Sequence, residues 1–334
     1  MLATNRPPII SILIAARNEE ATIVPCLQAI AQLQYPPDAF EVLIGNDQST
    51  DQTSLVVAKF IADKPQFRLL DISETVAHLV GKANVLAQLA HQATGQYLFF
   101  TDADTQVPVS WLTEISQQFD KQIGIVTGIT LPKGPTLFHK LQTIDWLYNL
   151  TLTHLLSRMT IPVTAMGNNM AVSREAYQAV GGYASLPFSV VEDYTLFQAI
   201  THKGFAFRNL LDVGVLATTK PVDTLHEFLH QRKRWMRGAM DLPAWIVIAL
   251  YVQYLAGPLF IALSLVAPLL AVSLFVARWV GQTTVILFGL KRLRQTKLWP
   301  FALIFDIYQL MICPLSVLFY FLWTPIDWKG RTYK

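Results

Sequence analysis

Cysteine is almost missing from this sequence: Cys26 and Cys313 are the only two. They lie in segments of different character, so no disulfide framework is expected, which suits a domain facing a reducing cytosol. Charge is scarce as well. Only 15% of residues are Asp, Glu, Lys or Arg, against 52% hydrophobic ones, a low share for a wholly water-soluble chain. The net charge of +3 is too small to argue for a nucleic-acid partner. No G-x-G-x-x-G follows the first apolar run, and no G-x-x-x-x-G-K-[ST] occurs anywhere. The dinucleotide fingerprint and the ATPase phosphate loop are therefore both excluded. Met1 to Pro8 is polar, and Ile9 to Ala16 is short and lacks a cleavage pattern, so no signal peptide is expected. Internal repeats and low-complexity segments are also lacking.

What is present centres on Gln96-Tyr97-Leu98-Phe99-Phe100-Thr101-Asp102-Ala103-Asp104-Thr105. An aromatic run too short for a helix reads as a strand buried on both faces of a parallel sheet. It ends in two carboxylates one residue apart. Ligands of open α/β sheets sit beyond the carboxyl ends of the strands. Side chains at i and i+2 of an extended chain project the same way, and two such acids suit a hard divalent cation. Taken alone, the same pattern also describes a polar turn after a buried strand.

The rest of the first half alternates strand and helix. Ile9 to Ala16 reads as the first strand, followed by Arg17-Asn18-Glu19-Glu20 and a helix from about Ala21 to Leu33. Phe40 to Gly45 is the second strand, ending in Asn46-Asp47-Gln48-Ser49-Thr50-Asp51; a helix over about 52–62 and a short strand over 67–70 come next. Gly81-Lys82-Ala83-Asn84 opens a third helix. This alternation predicts a mostly parallel sheet with helices on both faces. Beyond Thr105 the pattern predicts a helix over 107–119, a strand over 123–130, a long apolar helix over 135–159, a loop and strand around Asn168-Asn169, and a helix opened by Glu192-Asp193. Two short strands follow, over 205–209 and 214–218. The last helix of this region, 226–240, carries Gln231-Arg232-Lys233-Arg234-Trp235-Met236-Arg237. Standing before an apolar region, it reads as a membrane-surface anchor.

Spanning helices need about 20 apolar residues. Residues 243–290 are long enough for two, with a break expected near 263–268, and 299–323 for a third. Arg232, Lys233, Arg234 and Arg237 precede the first span, and Lys291, Arg292, Arg294 and Lys297 follow the second. Both clusters are expected on the cytoplasmic side, which requires an even number of crossings between them. Asp306 and Pro314 leave the third segment open as a crossing or as a tilted or re-entrant one. Arg278 is an unusual residue for the second span.

In order along residues 8–240, the stretches Ala15-Ala16-Arg17-Asn18-Glu19-Glu20, Asn46-Asp47-Gln48-Ser49-Thr50-Asp51, Gly81-Lys82-Ala83-Asn84, Thr101-Asp102-Ala103-Asp104, Glu192-Asp193 and Gln231-Arg232-Lys233-Arg234-Trp235 resemble family 2 glycosyltransferases of the GT-A fold. The resemblance implies an α/β, Rossmann-like catalytic domain over 1–240, with a nucleotide-sugar half over about 8–105 and an acceptor half over about 106–240. A membrane domain over 241–334 follows, with two to three spanning or re-entrant segments. The implied activity is inverting, metal-dependent transfer of a sugar from a nucleotide donor, UDP-linked by expectation, to a membrane lipid. Processive polysaccharide synthesis and a non-catalytic membrane subunit are the alternatives. The implied donor residues are Glu19, Asp47, Lys82, Asp102, Asp104 and Arg234, with Mg²⁺ or Mn²⁺ on Asp102 and Asp104. Asp193 is implied as general base, and Gln231, Trp235, Asn168 and Asn169 as acceptor contacts. A lipid acceptor is favoured by the few spans, by the expectation that none precedes the catalytic domain, and by two stretches. These are Val191-Glu192-Asp193-Tyr194 and Asp327-Trp328-Lys329-Gly330-Arg331-Thr332-Tyr333, which resemble the ceramide, hopanoid and carotenoid glycosyltransferase branch. The expected location is a multi-pass inner or plasma membrane protein with a cytoplasmic catalytic domain.

Overall fold

A computed structural model describes residues 9–76, 78–240, 242, 244–322, 326–328 and 331–333. Pro7-Pro8, the span limits Pro243 and Trp323, and Lys329, Gly330 and Lys334 lie outside the described residues. The chain divides into two compact units: Met1–Leu131 with Thr153–Thr219, and Pro132–Leu152 with Lys220–Lys334.

In the first unit, β1 (Ile10–Ala16), α1 (Ile23–Ala31), β2 (Phe40–Asn46), α2 (Thr53–Ile61), β3 (Phe67–Asp71), α3 (Lys82–Gln92) and β4 (Tyr97–Asp102) follow the predicted alternation. Then come α4 (Trp111–Ser116), β5 (Ile123–Thr127), β6 (Ile129–Pro132) and α5 (Leu137–Arg158), whose residues up to Leu152 belong to the second unit. The unit is completed by β7 (Met170–Ser173), α6 (Arg174–Ala179), α7 (Glu192–His202), β8 (Ala206–Asn209) and β9 (Leu216–Thr219). Seven strands form one sheet in the order β3-β2-β1-β4-β7-β5-β8. All its pairings are parallel except the two that β7 makes with β4 and β5. The β-branched and aromatic runs explain the interior: Ile12, Leu13, Ile14, Leu98 and Phe99 are fully buried, each contributing roughly 1.5–3 kcal/mol of transfer energy. Phe99 meets Trp111 edge-on at 5.0 Å.

Two elements depart from expectation. The helix expected over 107–119 is confined to α4, because Gln106 pairs with Thr218 and the Gln34 N–H bonds the Val109 carbonyl at 2.8 Å, holding the preceding residues out of the helix. The strand expected over 123–130 splits at Gly128, whose N–H turns to the Asn169 carbonyl at 2.8 Å.

The second unit holds α8 (Leu225–Ala239), α9 (Ala244–Tyr254), α10 (Ala256–Val266), α11 (Pro268–Arg292), α12 (Trp299–Phe321), β10 (Ile326–Trp328) and β11 (Arg331–Tyr333). Thr224 and Glu227 close a capping box at the start of α8. α11 and α12 are long and apolar enough to cross a membrane. The predicted break near 263–268 falls at Ala267, before Pro268. A second break was not anticipated: α9 and α10 meet at 64°. Its cause is Pro258, in the first turn of α10, which cannot donate to the Tyr254 carbonyl and clashes with it. Pro314, by contrast, lies inside a continuous α12. There it frees the Leu310 carbonyl, against which Gly257 of α10 packs so closely that a Cβ would collide.

Candidate active site

The sheet places its predicted site residues by register. Ala15 of β1 is paired with Asp102 of β4 on one side and Gly45 of β2 on the other, so the loops after β1, β2 and β4 leave the same edge. The first two are laced together. Arg17 donates to the Asp47 carbonyl at 2.7 Å, Thr50 N–H to Asn18 Oδ1 at 2.9 Å, and Glu19 N–H to Thr53 Oγ1 at 2.7 Å. Asn18 and Gln48 adopt positive φ, 53° and 52°, a conformation that asparagine tolerates better than most residues. Glu19 and Asp47 are buried within this lacing. Asn46 donates to Asp71 Oδ1 at 2.8 Å; an aspartate at 46 would set two carboxylates against each other.

Lys82, at the first position of α3, joins two distant parts of the chain. Its Nζ lies 2.7 Å from Asp102 Oδ1 and 2.9 Å from Glu192 Oε1. Burial opposes the lysine charge, but Asp102, Glu192 and Asp193 outweigh it and hold the ammonium ion firmly protonated. Asp104 is pushed up to about 6 by burial and by the Asp102 charge, against the Thr105 hydroxyl and Lys82. Asp193, the second residue of α7, is likewise pushed up to about 6 by burial and Glu192, against Lys82 and the Gly167 and Tyr194 N–H groups. Those N–H groups donate to Oδ2 and Oδ1 at 2.7 and 2.8 Å. Cys26 lies beneath, its thiol donating to the Asp102 carbonyl at 3.4 Å. Burial and the two aspartates raise its pKa, so it stays a thiol.

Lys82, Asp102, Asp104 and Asp193 thus form one charge cluster, to which Glu192 belongs although sequence reasoning treated it only as a neighbour of Asp193. The one signal for it was adjacency. Among the described residues no group of three or more His, Cys, Asp or Glu is arranged to hold a metal alone. Asp102 ends β4 and Asp104 stands in the turn just beyond it, both half-buried and close enough for their charges to interact. Each raises the energy of the other's charge, and a cation between them relieves that repulsion; two carboxylates fit an ion that takes its other ligands from phosphate oxygens.

Asn168 and Asn169 part ways. The Asn168 carbonyl accepts from Thr101 Oγ1 at 3.0 Å, and its side-chain Oδ1 is buried without a protein partner. Asn169 is fully buried. Its Oδ1 accepts from Trp111 Nε1 at 2.8 Å, and its amide donates to the carbonyls of Ile129 and Val215 at 3.0 and 2.9 Å. The expectation that it touches an acceptor meets a side chain whose donors are both engaged in the core.

Gln231, Arg234 and Trp235 lie half-buried on α8, in the second unit. Trp235 packs edge-on against Trp146 at 5.3 Å and carries the Arg232 guanidinium 4.8 Å from its ring centroid. Arg232 is paired with Asp145.

A doubly wound, mostly parallel sheet with acids at the carboxyl end of its fourth strand is the frame of a GT-A glycosyltransferase. The chain belongs to glycosyl transferase family 21, whose family model matches residues 3–334. It is similar to the probable glycosyltransferase YdaM of Bacillus subtilis, 28% identical over 241 residues, covering 69% of this chain and 55% of the relative. It is also similar to the beta-monoglucosyldiacylglycerol synthase of Nostoc, 26% identical over 247 residues, covering 72% and 51%. The chain spans about half the length of these relatives. A shorter match, 31% identical over 140 residues, covers 41% of this chain and 32% of the poly-beta-1,6-N-acetyl-D-glucosamine synthase of Staphylococcus epidermidis. Among solved structures, the mannosyltransferase PcManGT of Pyrobaculum calidifontis, in complex with GDP-Man and Mn²⁺, shares the fold. Its TM-score is 0.56 at 18% identity, over 92% of this chain and 90% of that one.

Proposed function

We propose that this glycosyltransferase transfers a sugar, with inversion, from a nucleotide donor, UDP-linked in the first instance, to a lipid in the membrane that α11 and α12 enter. The observation that carries this reading is the bridging of Asp102 and Glu192 by Lys82. This fixed positive charge stands beside a half-buried carboxylate, Asp193, and supports the reading of this sheet edge as the place where a nucleotide's diphosphate is received. Glu19 and Asp47 hold the nucleoside, and Lys82 receives the diphosphate. A divalent cation, Mg²⁺ or Mn²⁺, bound by Asp102 and Asp104 supplies charge neutralisation to the departing nucleoside diphosphate. Asp193 accepts the proton of the attacking hydroxyl. Held by two N–H groups, it is aimed rather than free to rotate, and its raised pKa makes it a stronger base than an exposed aspartate. Asn168 meets the acceptor, while Asn169 supports its loop from behind. Residues 1–240 form the cytoplasmic catalytic domain in this reading and 241–334 the membrane domain. Two relatives support the lipid acceptor and the metal by analogy: a glucosyldiacylglycerol synthase and a mannosyltransferase bound to Mn²⁺.

The test uses purified full-length protein in lipid nanodiscs with a panel of nucleotide sugars and Mn²⁺. Nucleoside diphosphate release is expected only with donor, metal and lipid together, and Asp193→Asn is expected to lower it by roughly 10²–10⁴-fold. Full turnover in that variant overturns the base assignment, and turnover unaffected by EDTA overturns the metal. The match to a polysaccharide synthase favours a processive second reading, which the length of the product decides.

A further inference from the structure

We infer that the turn joining α11 to α12 is a binding surface for the phosphate of an anionic membrane lipid, met by Lys291, Arg294 and Lys297. None of these residues belongs to the site proposed for sugar transfer.

Charge in this turn is uncompensated. Lys291, Arg292, Arg294 and Lys297 are exposed around Leu293, whose complete burial anchors the turn. No Asp or Glu occurs from Leu242 to Phe305. Elsewhere in the same unit, Asp145, Asp223 and Asp306 are taken by Arg232, His139 and Arg278. Lys291, Arg294 and Lys297 have no ion pair among the described residues. Lys140 of α5 adds a further cation, its Nζ 5.2 Å from the ring centroid of Phe301 in the first turn of α12.

The backbone places one of these cations where a side chain is disfavoured. The Gln295 N–H bonds the Leu290 carbonyl at 2.8 Å, and the Arg294 N–H bonds the Lys291 carbonyl at 3.2 Å. These are the paired bonds of a Schellman ending, whose left-handed position is usually glycine. Here that position is Arg294, with φ 56°, which carries a steric cost. The rule that gathers cations at the cytoplasmic ends of spanning helices is already met by Lys291, Arg292 and Lys297. It does not call for another at the one position that glycine fits best, whereas an anion in contact with Arg294 does.

Helix electrostatics separate the cations further. Lys291 and Arg292, in the last turn of α11, complement the negative end of that helix. Lys297 has the reverse setting. It lies in a 3₁₀ turn that leads into α12, where the helix end is itself positive, the first turn holds no acid and Leu298 supplies no side-chain cap. A cation there is repelled unless an anion joins it.

The occupant follows from place and charge. Both α11 and α12 are long and apolar enough to cross a membrane, so the turn between them emerges at the level of the lipid heads. Trp299 beside it is exposed, as aromatic residues at that level are. The anion met there is a lipid phosphate, which clusters of Lys and Arg at the ends of spanning helices bind.

Full-length protein in mild detergent is titrated with phosphatidylglycerol or with phosphatidylcholine of the same acyl chains. Bound lipid is counted by native mass spectrometry, and Tm is read alongside. Phosphatidylglycerol is expected to bind at least roughly tenfold more tightly, and less tightly as salt is raised. Arg294→Gly removes a charge but suits the backbone. It is expected to weaken phosphatidylglycerol binding roughly fivefold while Tm stays level or rises. Lys291→Gln with Lys297→Gln weakens it by roughly 25-fold, and Lys59→Gln, at an exposed lysine of α2, leaves it unchanged. Equal binding of the two lipids overturns the proposal, as does undiminished binding in both charge variants. A lowered Tm in Arg294→Gly with lipid binding intact marks the arginine as structural and overturns it too. Inorganic phosphate at the same concentration is expected to leave Tm unchanged; a shift equal to that given by phosphatidylglycerol makes this a site for soluble anions and overturns the lipid assignment. These readouts use no sugar donor, so failure of the transferase reading leaves them unaffected.

Discussion

The Gly167 N–H donates to Asp193 Oδ2 at 2.7 Å, and a Cβ on Gly167 would lie 2.7 Å from that same oxygen. Only glycine allows backbone and carboxylate to meet this closely. Gly167→Ala is expected to turn Asp193 aside while the fold survives. The rate constant for sugar transfer falls by roughly 10²-fold, with donor affinity little changed. Single-turnover kinetics beside nucleotide titration separates the two effects.

Asp193 acts as a base only when ionised. With its pKa pushed up to about 6 by burial and Glu192, the rate is expected to fall as pH drops through about 6 rather than near the ordinary aspartate value. Glu192→Gln removes the neighbouring negative charge that raises this pKa, so the acid limb of the pH–rate profile moves to lower pH. The linked effect on stability has the opposite sense to a salt-bridged aspartate. Because the folded pKa lies above the unfolded value near 3.9, Asp193 favours folding most below pH about 4 and loses that contribution as pH rises through about 6.

Lys82→Met leaves Asp102 and Glu192 without their shared cation. Donor binding is expected to weaken by at least roughly tenfold, since a charged hydrogen bond to the diphosphate contributes about 1.5–3 kcal/mol. Isothermal titration with the nucleotide sugar reads the change. Lys82→Arg keeps the charge but not the compact ammonium ion seated between two carboxylates, and recovers only part of the affinity.

Asn169→Ala strips partners from Trp111 Nε1 and from the carbonyls of Ile129 and Val215. Each orphaned buried group costs about 1–3 kcal/mol. We expect a lowered Tm and lowered protein yield before any change in substrate selectivity, measured by thermal unfolding in detergent.

Arg278→Leu leaves Asp306 buried and unpaired and is expected to destabilise the helix bundle by about 3–5 kcal/mol. Arg278→Leu with Asp306→Leu removes both charges and restores most of the stability. A double-mutant cycle on detergent-solubilised protein gives the coupling.

Much of the frame was legible along the chain. Runs such as Ile10–Ala16 and Tyr97–Asp102 announce buried strands because two-sided burial demands continuous apolar side chains. The long apolar segments announce α11 and α12 for the same reason. The bend at Leu255 was also written locally, in Gly257-Pro258, and was missed among apolar neighbours. Asn169 was misleading, since an asparagine in a loop motif looks the same whether it faces a substrate or clamps a tryptophan indole.

Local pattern alone determined which residues become strands, which helices are apolar enough to enter a membrane, and that two aspartates close the fourth strand. Those properties depend on a residue and its near neighbours. Tertiary structure alone decided that Lys82 reaches Glu192, that Asn46 faces Asp71, and that Arg278 finds Asp306. Such partners lie tens of residues apart or more, and it is sheet order, strand register and helix packing, rather than spacing along the chain, that bring a carboxylate within 3 Å of its donor and offset the cost of burying it.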